Sequence, residues 1–123
     1  MTEPRTIGWL LDDADRAALL IRFPPIWPDV IAHHVTLASK VTDPLPTATA
    51  GEVVGQVDDG EGLQALVVAI GGTTDRPDGS TYHITWSLDR ERGRRAVQSN
   101  DVLRERGWTP TESIPIQLIP SDL

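Results

Sequence analysis

Apolar and polar positions alternate through residues 82–89, YHITWSLD. Tyr82, Ile84, Trp86 and Leu88 share one parity, and His83, Thr85 and Ser87 the other. A period of two is that of a β-strand with one apolar and one polar face, and it predicts a strand over 81–88. Similar runs predict strands at 5–11 (RTIGWLL), 31–40, 52–57, 63–70 and 114–119. DDGEG between the third and fourth of these is a hairpin signal. Between 13 and 23 the period changes: Ala17, Leu20 and Ile21 recur at i, i+3 and i+4, which predicts a helix with those residues inward. Asp12 stands as its N-cap, with Asp15 three residues on as in a capping box, and Pro24 and Pro25 end it. Ser99 or Asn100 caps a second short helix that runs through Arg106, has a basic last turn and stops at Gly107. Segments 24–29, 42–50 and 71–80 read as loops, the last a candidate mobile cover. The sum is an α+β fold with two helices and five or six strands, mainly antiparallel.

Composition narrows the chemistry. A chain of 123 residues makes one domain, 1–123, large enough for its own core, and its Trp, Val, Ile and Leu clusters argue against disorder. The absence of cysteine excludes a disulfide scaffold, a thiolate nucleophile and a cysteine-ligated zinc or iron–sulfur site, and fits a reducing, cytoplasmic location. The opening MTEPRTIGWLLDDADR holds only a short apolar run followed by acids, so neither a signal peptide nor a membrane span is expected. A net charge of −7 disfavours wrapping a long duplex, which needs cations in bulk. Six of the eleven basic residues nevertheless lie between Arg90 and Arg106, either as a solvated face or as a rim that attracts a small anion or a nucleic-acid end.

The strand at 81–88 carries His83 and Thr85 on its polar face, and the strand at 31–40 repeats the phrase with His34 and Thr36. Residues two apart project to the same side, roughly 6–7 Å apart. If the strands lie side by side in one concave sheet, two imidazoles face each other across a slot, each with a hydroxyl beside it. Displacement at phosphorus needs a base on the incoming oxygen and an acid on the leaving one. Two histidines supply both near neutrality, and two threonine hydroxyls hydrogen-bond the non-bridging oxygens as charge builds there. No metal and no cofactor is required. One such phrase carries little weight. Two of them use two of the chain's three histidines, inside the same alternating apolar frame. The third, His33, adjoins His34 in the predicted strand and so should point to the opposite face. That disfavours a zinc site built from His33, His34 and His83 and leaves His33 a packed or partly exposed side chain.

The paired phrases HVTL at 34–37 and HITW at 83–86 resemble the signature of the two-histidine (2H) phosphoesterase superfamily. The likeness is greatest to the cyclic phosphodiesterase domain of plant and fungal tRNA ligases and to small bacterial relatives. It extends over HVTLASK (34–40), HITWS (83–87) and AVQSNDVL (96–103), within residues 30–107. The resemblance implies a small, bilobal, pseudo-symmetric antiparallel sheet fold with a cleft between lobes. It implies metal-independent hydrolysis of a 2′,3′-cyclic phosphate, on a nucleotide or an RNA end, to a 2′-phosphate, or of a related cyclic nucleotide signal. His34 and His83 would be the acid/base pair and Thr36 and Thr85 the phosphate holders. His83 as base and His34 as acid is the working order, which the sequence does not fix.

Around these four, Lys40 shares the parity of His34 and Thr36 and is a candidate phosphate contact. Trp27, in the loop before the first phrase, is a candidate stacking surface for a base. Ser99 and Asn100 read as helix caps first, with a ligand role implied only by the resemblance. Tyr82 and Trp86 fall on the core parity. The expected partner is a nucleotide or RNA terminus bearing a cyclic phosphate, not a membrane. Two rivals stay open: a non-catalytic nucleotide-binding module, and a structural domain in which the double phrase is chance.

Overall fold

The computed structural model describes residues 3–123, and among these the chain forms seven strands and two helices. In order they are β1 (Arg5–Leu11), α1 (Asp13–Arg22), β2 (Asp29–Val30), β3 (His34–Val41), β4 (Ala50–Asp58), β5 (Leu63–Ala69), β6 (His83–Leu88), α2 (Ser99–Arg106) and β7 (Thr109–Asp122). Short 3-10 turns at Arg90–Arg92 and Ala96–Gln98 lead into α2. The class is α+β, as expected. No helix among the described residues is long and apolar enough to cross a membrane.

All strand pairings are antiparallel, in the order β2-β6-β5-β4-β7-β1-β3. β7 is the long member. Its first part pairs with β4 and its last part with β1, so it joins two wings of the sheet. The sheet curls until β3, at one end of the order, touches β6 near the other. The chain crosses this seam between Ala32 and His33. Ile31 and Ala32 donate their backbone N–H groups to Trp86 and Thr85 of β6, at 2.9 and 3.0 Å, whereas the His33 carbonyl accepts from Leu11 of β1 at 3.0 Å. Ala32 makes the crossing with φ 46°, a left-handed conformation that L-residues seldom adopt. The predicted strand at 31–40 therefore begins three residues late, at His34.

The concave side encloses the main core. Trp9, Leu11, Leu19, Phe23, Val35, Val53, Leu66, Val68, Ile84, Trp86, Ile116 and Leu118 are all buried in it. The Trp86 indole N–H donates to the Phe23 carbonyl at 2.7 Å, and the Trp9 ring meets Tyr82 edge-on at 5.9 Å between centroids. Tyr82, just before β6, and Trp86 within it are thus both inside, as their parity predicts. A smaller cluster of Leu63, Ala65, Leu88 and Val102 lies under α2. β6 is consequently buried on both faces. Its polar parity is satisfied from within the protein, since the Ser87 hydroxyl donates to Gln64 at 2.7 Å and accepts the Trp27 backbone N–H at 3.1 Å.

Several local expectations are corrected. Helix α1 turns Leu19 inward, with Phe23 buried just past its end; of the expected stripe Leu20 is partly buried against this core, while Ala17 is exposed and Ile21 82 % exposed. The Leu19/Phe23 pair, four apart, buries an aromatic ring that the 17/20/21 stripe cannot offer. The same side is tied down by Arg16, which donates to the Ala32 carbonyl at 2.7 Å. Asp12 caps α1 by accepting the Asp15 N–H at 3.1 Å, but the Asp15 carboxylate leaves the box and accepts from Gln117 of β7 at 2.6 Å. α2 is capped by neither Ser99 nor Asn100: its N-cap is Gln98, and Ser99 is the first helical residue, fully buried. Gly107 does end α2, at φ 69°.

Candidate functional site

β3 and β6 each begin with a histidine at the seam, and there the two repeated phrases meet. His34, Thr36, His83 and Thr85 line one cleft of about 240 Å³, together with Ser39, Arg76, Ala96, Val97 and Asn100. That is below the roughly 300–1,000 Å³ of pockets that engulf a drug-sized ligand, a size that suits a small group.

Two features hold β3 in place. Gly8 of β1 pairs with Thr36, and a Cβ there would lie 2.1 Å from the Val35 carbonyl oxygen, so only glycine lets the strands approach this closely. Beyond Thr36 the register slips, from Gly8↔Thr36 to Ile7↔Ala38 and then to Arg5↔Val41, with Lys40 at φ 57°. Such a bulge inverts the alternation. Ser39, not Lys40, therefore follows His34 and Thr36 into the cleft, and the expectation for Lys40 is overturned: it is exposed and outside the lining.

The two imidazoles are tied differently. His83, 9 % exposed, has Nδ1 2.9 Å from the Thr81 carbonyl oxygen. A carbonyl only accepts, so Nδ1 carries a hydrogen and neutral His83 has its lone pair on Nε2. Burial holds the His83 pKa below its ordinary 6.5. The bond to Thr81 opposes that shift, while the nearby Arg76 and His34 charges add to it. His34 is half-buried and likewise lowered, first by burial and then by the His33 ring. The nitrogens His33 Nδ1 and His34 Nδ1 are 3.0 Å apart, with ring planes at 82°. The expectation that these rings face opposite ways is therefore wrong. His33 precedes β3 and follows the left-handed Ala32, so strand alternation does not govern it. No group of three or more His, Asp or Glu side chains placed to hold a metal occurs among the described residues.

Thr85 is backed by Ser99. Their hydroxyl oxygens are 2.9 Å apart, and the Ala96 carbonyl lies 3.4 Å from the Thr85 oxygen. Ser99 is thus a support beneath Thr85, not a lining residue. Asn100 does line the cleft; its amide donates to the Val97 carbonyl at 3.2 Å. Trp27 does not. Its indole N–H donates to Asp58 at 3.0 Å, and the Arg92 guanidinium lies 5.3 Å from its ring centroid, so the aromatic surface is engaged elsewhere.

The cation of the cleft is Arg76, which sequence reasoning missed. It is 8 % exposed, donates Nε to the Leu37 carbonyl at 3.2 Å and Nη1 to Asn100 at 3.4 Å, and pairs with Asp78 at 3.5 Å. The turn 71–80 is accordingly pinned to β3 and α2 through its centre rather than built as a free cover. No local signal marks Arg76 within GGTTDRPDGS. The six arginines between Arg90 and Arg106 are not among the cleft lining, and three of them are paired within the fold: Arg94 with Asp59, Arg92 with Asp89 at 3.2 Å, and Arg104 with Asp101 at 2.6 Å.

Compared with protein-family models, with curated proteins and with solved structures, this chain finds no match.

Proposed function

We propose that this protein is a phosphodiesterase that opens a 2′,3′-cyclic phosphate, on a nucleotide or an RNA end, to a 2′-phosphate by a two-histidine mechanism needing no metal. The observation that carries this reading is the convergence of His34, Thr36, His83, Thr85 and Arg76 on one small cleft. His83 Nε2, left unprotonated by the bond from Nδ1 to Thr81, takes a proton from water as its oxygen attacks phosphorus. The bond from phosphorus to O3′ breaks on the opposite side, and protonated His34 gives its Nε2 hydrogen to that oxygen. Water is thereby divided, hydroxide to phosphorus and a proton to O3′. Thr36, Thr85 and Arg76 donate to the non-bridging oxygens, where charge grows in the transition state. Ser99 can donate to Thr85, whose own hydrogen then exchanges its long 3.4 Å bond to the Ala96 carbonyl for one to phosphate.

We read the bilobal fold implied by the sequence resemblance in the two wings of the curled sheet. β3 belongs with β1 and the end of β7, β6 with β5, β4 and the start of β7, and each wing brings one His-x-Thr strand to the seam.

The test is incubation with each nucleoside 2′,3′-cyclic monophosphate in EDTA, beside a cyclic-phosphate-ended oligonucleotide and a cyclic dinucleotide. The products are resolved as 2′- or 3′-phosphates. The expected result is a 2′-phosphate product formed in the chelator. His34→Ala and His83→Ala should each lose about 100- to 10,000-fold in rate, the usual worth of a positioned acid or base, while keeping the wild-type circular dichroism. Turnover confined to the cyclic dinucleotide would move the substrate to nucleotide signals. Saturable binding without turnover would make the protein a binding module. Near-wild-type rates in either variant would remove the histidines from the chemistry.

A further inference from the structure

His33 lies outside the cleft lining and is exposed, yet its Nδ1 stands within hydrogen-bond distance of a nitrogen of the proposed acid. One hydrogen must lie between the two Nδ1 atoms, so one ring donates and the other accepts. Whether His34 serves as acid or as base through Nε2, its Nδ1 has to carry a hydrogen: as imidazolium it holds both, and as a neutral base it keeps only that one. The arrangement works only if His33 accepts on Nδ1 and holds its own hydrogen on Nε2, toward solvent.

The surroundings leave His33 alone in this role. The groups that face His34 are His83 on β6, Arg76 from the turn 71–80, and the neutral Thr36 and Ser39 on its own strand; β1 presents Leu10 beside it, and the cleft lining holds no carboxylate. Arg16 of α1 reaches the carbonyl of Ala32, just before the pair, and fixes the backbone there. The two halves of the site therefore differ. His83 leans on a backbone carbonyl, which can only accept, whereas His34 leans on a second ring, which can accept or donate.

We propose that His33 is a positioning residue, which accepts from His34 and so holds it as the Nδ1–H tautomer with Nε2 aimed into the cleft. Without an acceptor at that place, neutral His34 is free to carry its hydrogen on Nε2, a form that is neither the imidazolium acid nor a base at Nε2. The catalytic consequence rests on the function proposed above; the tautomer does not.

Two measurements separate these. Two-bond ¹H–¹⁵N spectra of the imidazole groups in substrate-free protein should show the His34 hydrogen on Nδ1 in the wild type. In His33→Ala it should pass to Nε2, the form a free histidine side chain prefers. Kinetics on whichever cyclic phosphate the wild type opens should show kcat down about 10-fold or more in His33→Ala, with KM within about 2-fold, as for loss of an orienting partner. His33→Asn, whose Oδ1 occupies the Nδ1 position as an acceptor, should recover most of kcat. An Nε2–H His34 in the wild type overturns the proposal, and so does a His33→Ala enzyme with unchanged kcat. If no cyclic phosphate is opened at all, the functional reading falls and the spectra alone decide the role of His33.

Discussion

Arg76 has to do two things with one guanidinium. Its Nε and Nη1 are spent on the Leu37 carbonyl and on Asn100, and Nη2 pairs with Asp78 at 3.5 Å, which together fix the plane of a guanidinium that lines the cleft. A lysine has the charge without the fork, and a glutamine has neither. Arg76→Gln should therefore raise KM for a cyclic phosphate about 10-fold or more, since hydrogen bonds to charged groups are worth about 1.5–3 kcal/mol, and Arg76→Lys should recover only part of that. A second consequence follows from the field of the same charge. Arg76 lowers the His83 pKa, so the uncharged variant should move the acid limb of kcat/KM to higher pH while Arg76→Lys leaves it close to wild type. A KM change without the pH shift would mean that Arg76 does not sense His83 and acts on phosphate alone. This residue was not legible in the sequence. It becomes a site residue only because the turn that carries it folds back between Leu37 and Asn100, 39 and 24 residues away. The two histidines and two threonines were legible, because strand alternation is a local property and each phrase fixes its own parity.

At the level of elements, alternation predicts a strand well until a backbone irregularity intervenes, and here the irregularities shape the site. The bulge that follows Thr36 replaces Lys40 with Ser39, and the left-handed Ala32 releases His33 from its expected face. Neither has a local sequence signature, since alanine and lysine are poor markers of positive φ. β7 shows the converse. Pro110, Pro115 and Pro120 argue against a central strand, and the sequence marks only 114–119, yet the strand runs from Thr109 to Asp122 because it changes partner, from β4 to β1, along its length. The one element-level feature open to a clean test is the close approach of β1 to β3. Gly8→Ala places a methyl group against the backbone carbonyl of Val35 and the N–H of Leu37, neither of which can swing aside as a side chain would. The strands must part around Thr36. The expected result is a loss of about 1–3 kcal/mol in chemical denaturation, as for other overpacked sites, with a fall in kcat larger than in a variant of equal stability loss made in the core away from the cleft lining, such as Val53→Ala in β4. Equal rates in the two variants would show that the cleft does not depend on β3 lying this close.

For the molecule as a whole, the seam sets the needs of folding against the needs of chemistry. Both histidines are held below 6.5 in the folded protein, mainly by burial, so the unfolded chain binds protons more readily than the native one. For a base so lowered, the folded state is favoured fully above the unfolded pKa, and that advantage drains away as pH falls through and below about 6.5. Asp78, held below the usual carboxylate range chiefly by the Ser80 hydroxyl, titrates far lower and leaves this window to the histidines. The proposed reaction, however, needs one histidine protonated while the other is neutral. With both values depressed, the free-enzyme optimum lies on the acid side of 6.5, where the fold has begun to lose its histidine contribution. The kcat/KM maximum should accordingly fall below pH 6.5, and the kcat maximum should sit higher, because a bound phosphate anion favours the imidazolium form. Denaturation midpoints should decline from pH 7.5 to pH 5.5 in the wild type and decline less in His83→Gln, which has no proton to bind there. A wild-type midpoint flat across that range, or an optimum above neutrality for kcat/KM, would mean that the rings are not desolvated as the cleft requires and that the acid/base pair is not built from these two histidines.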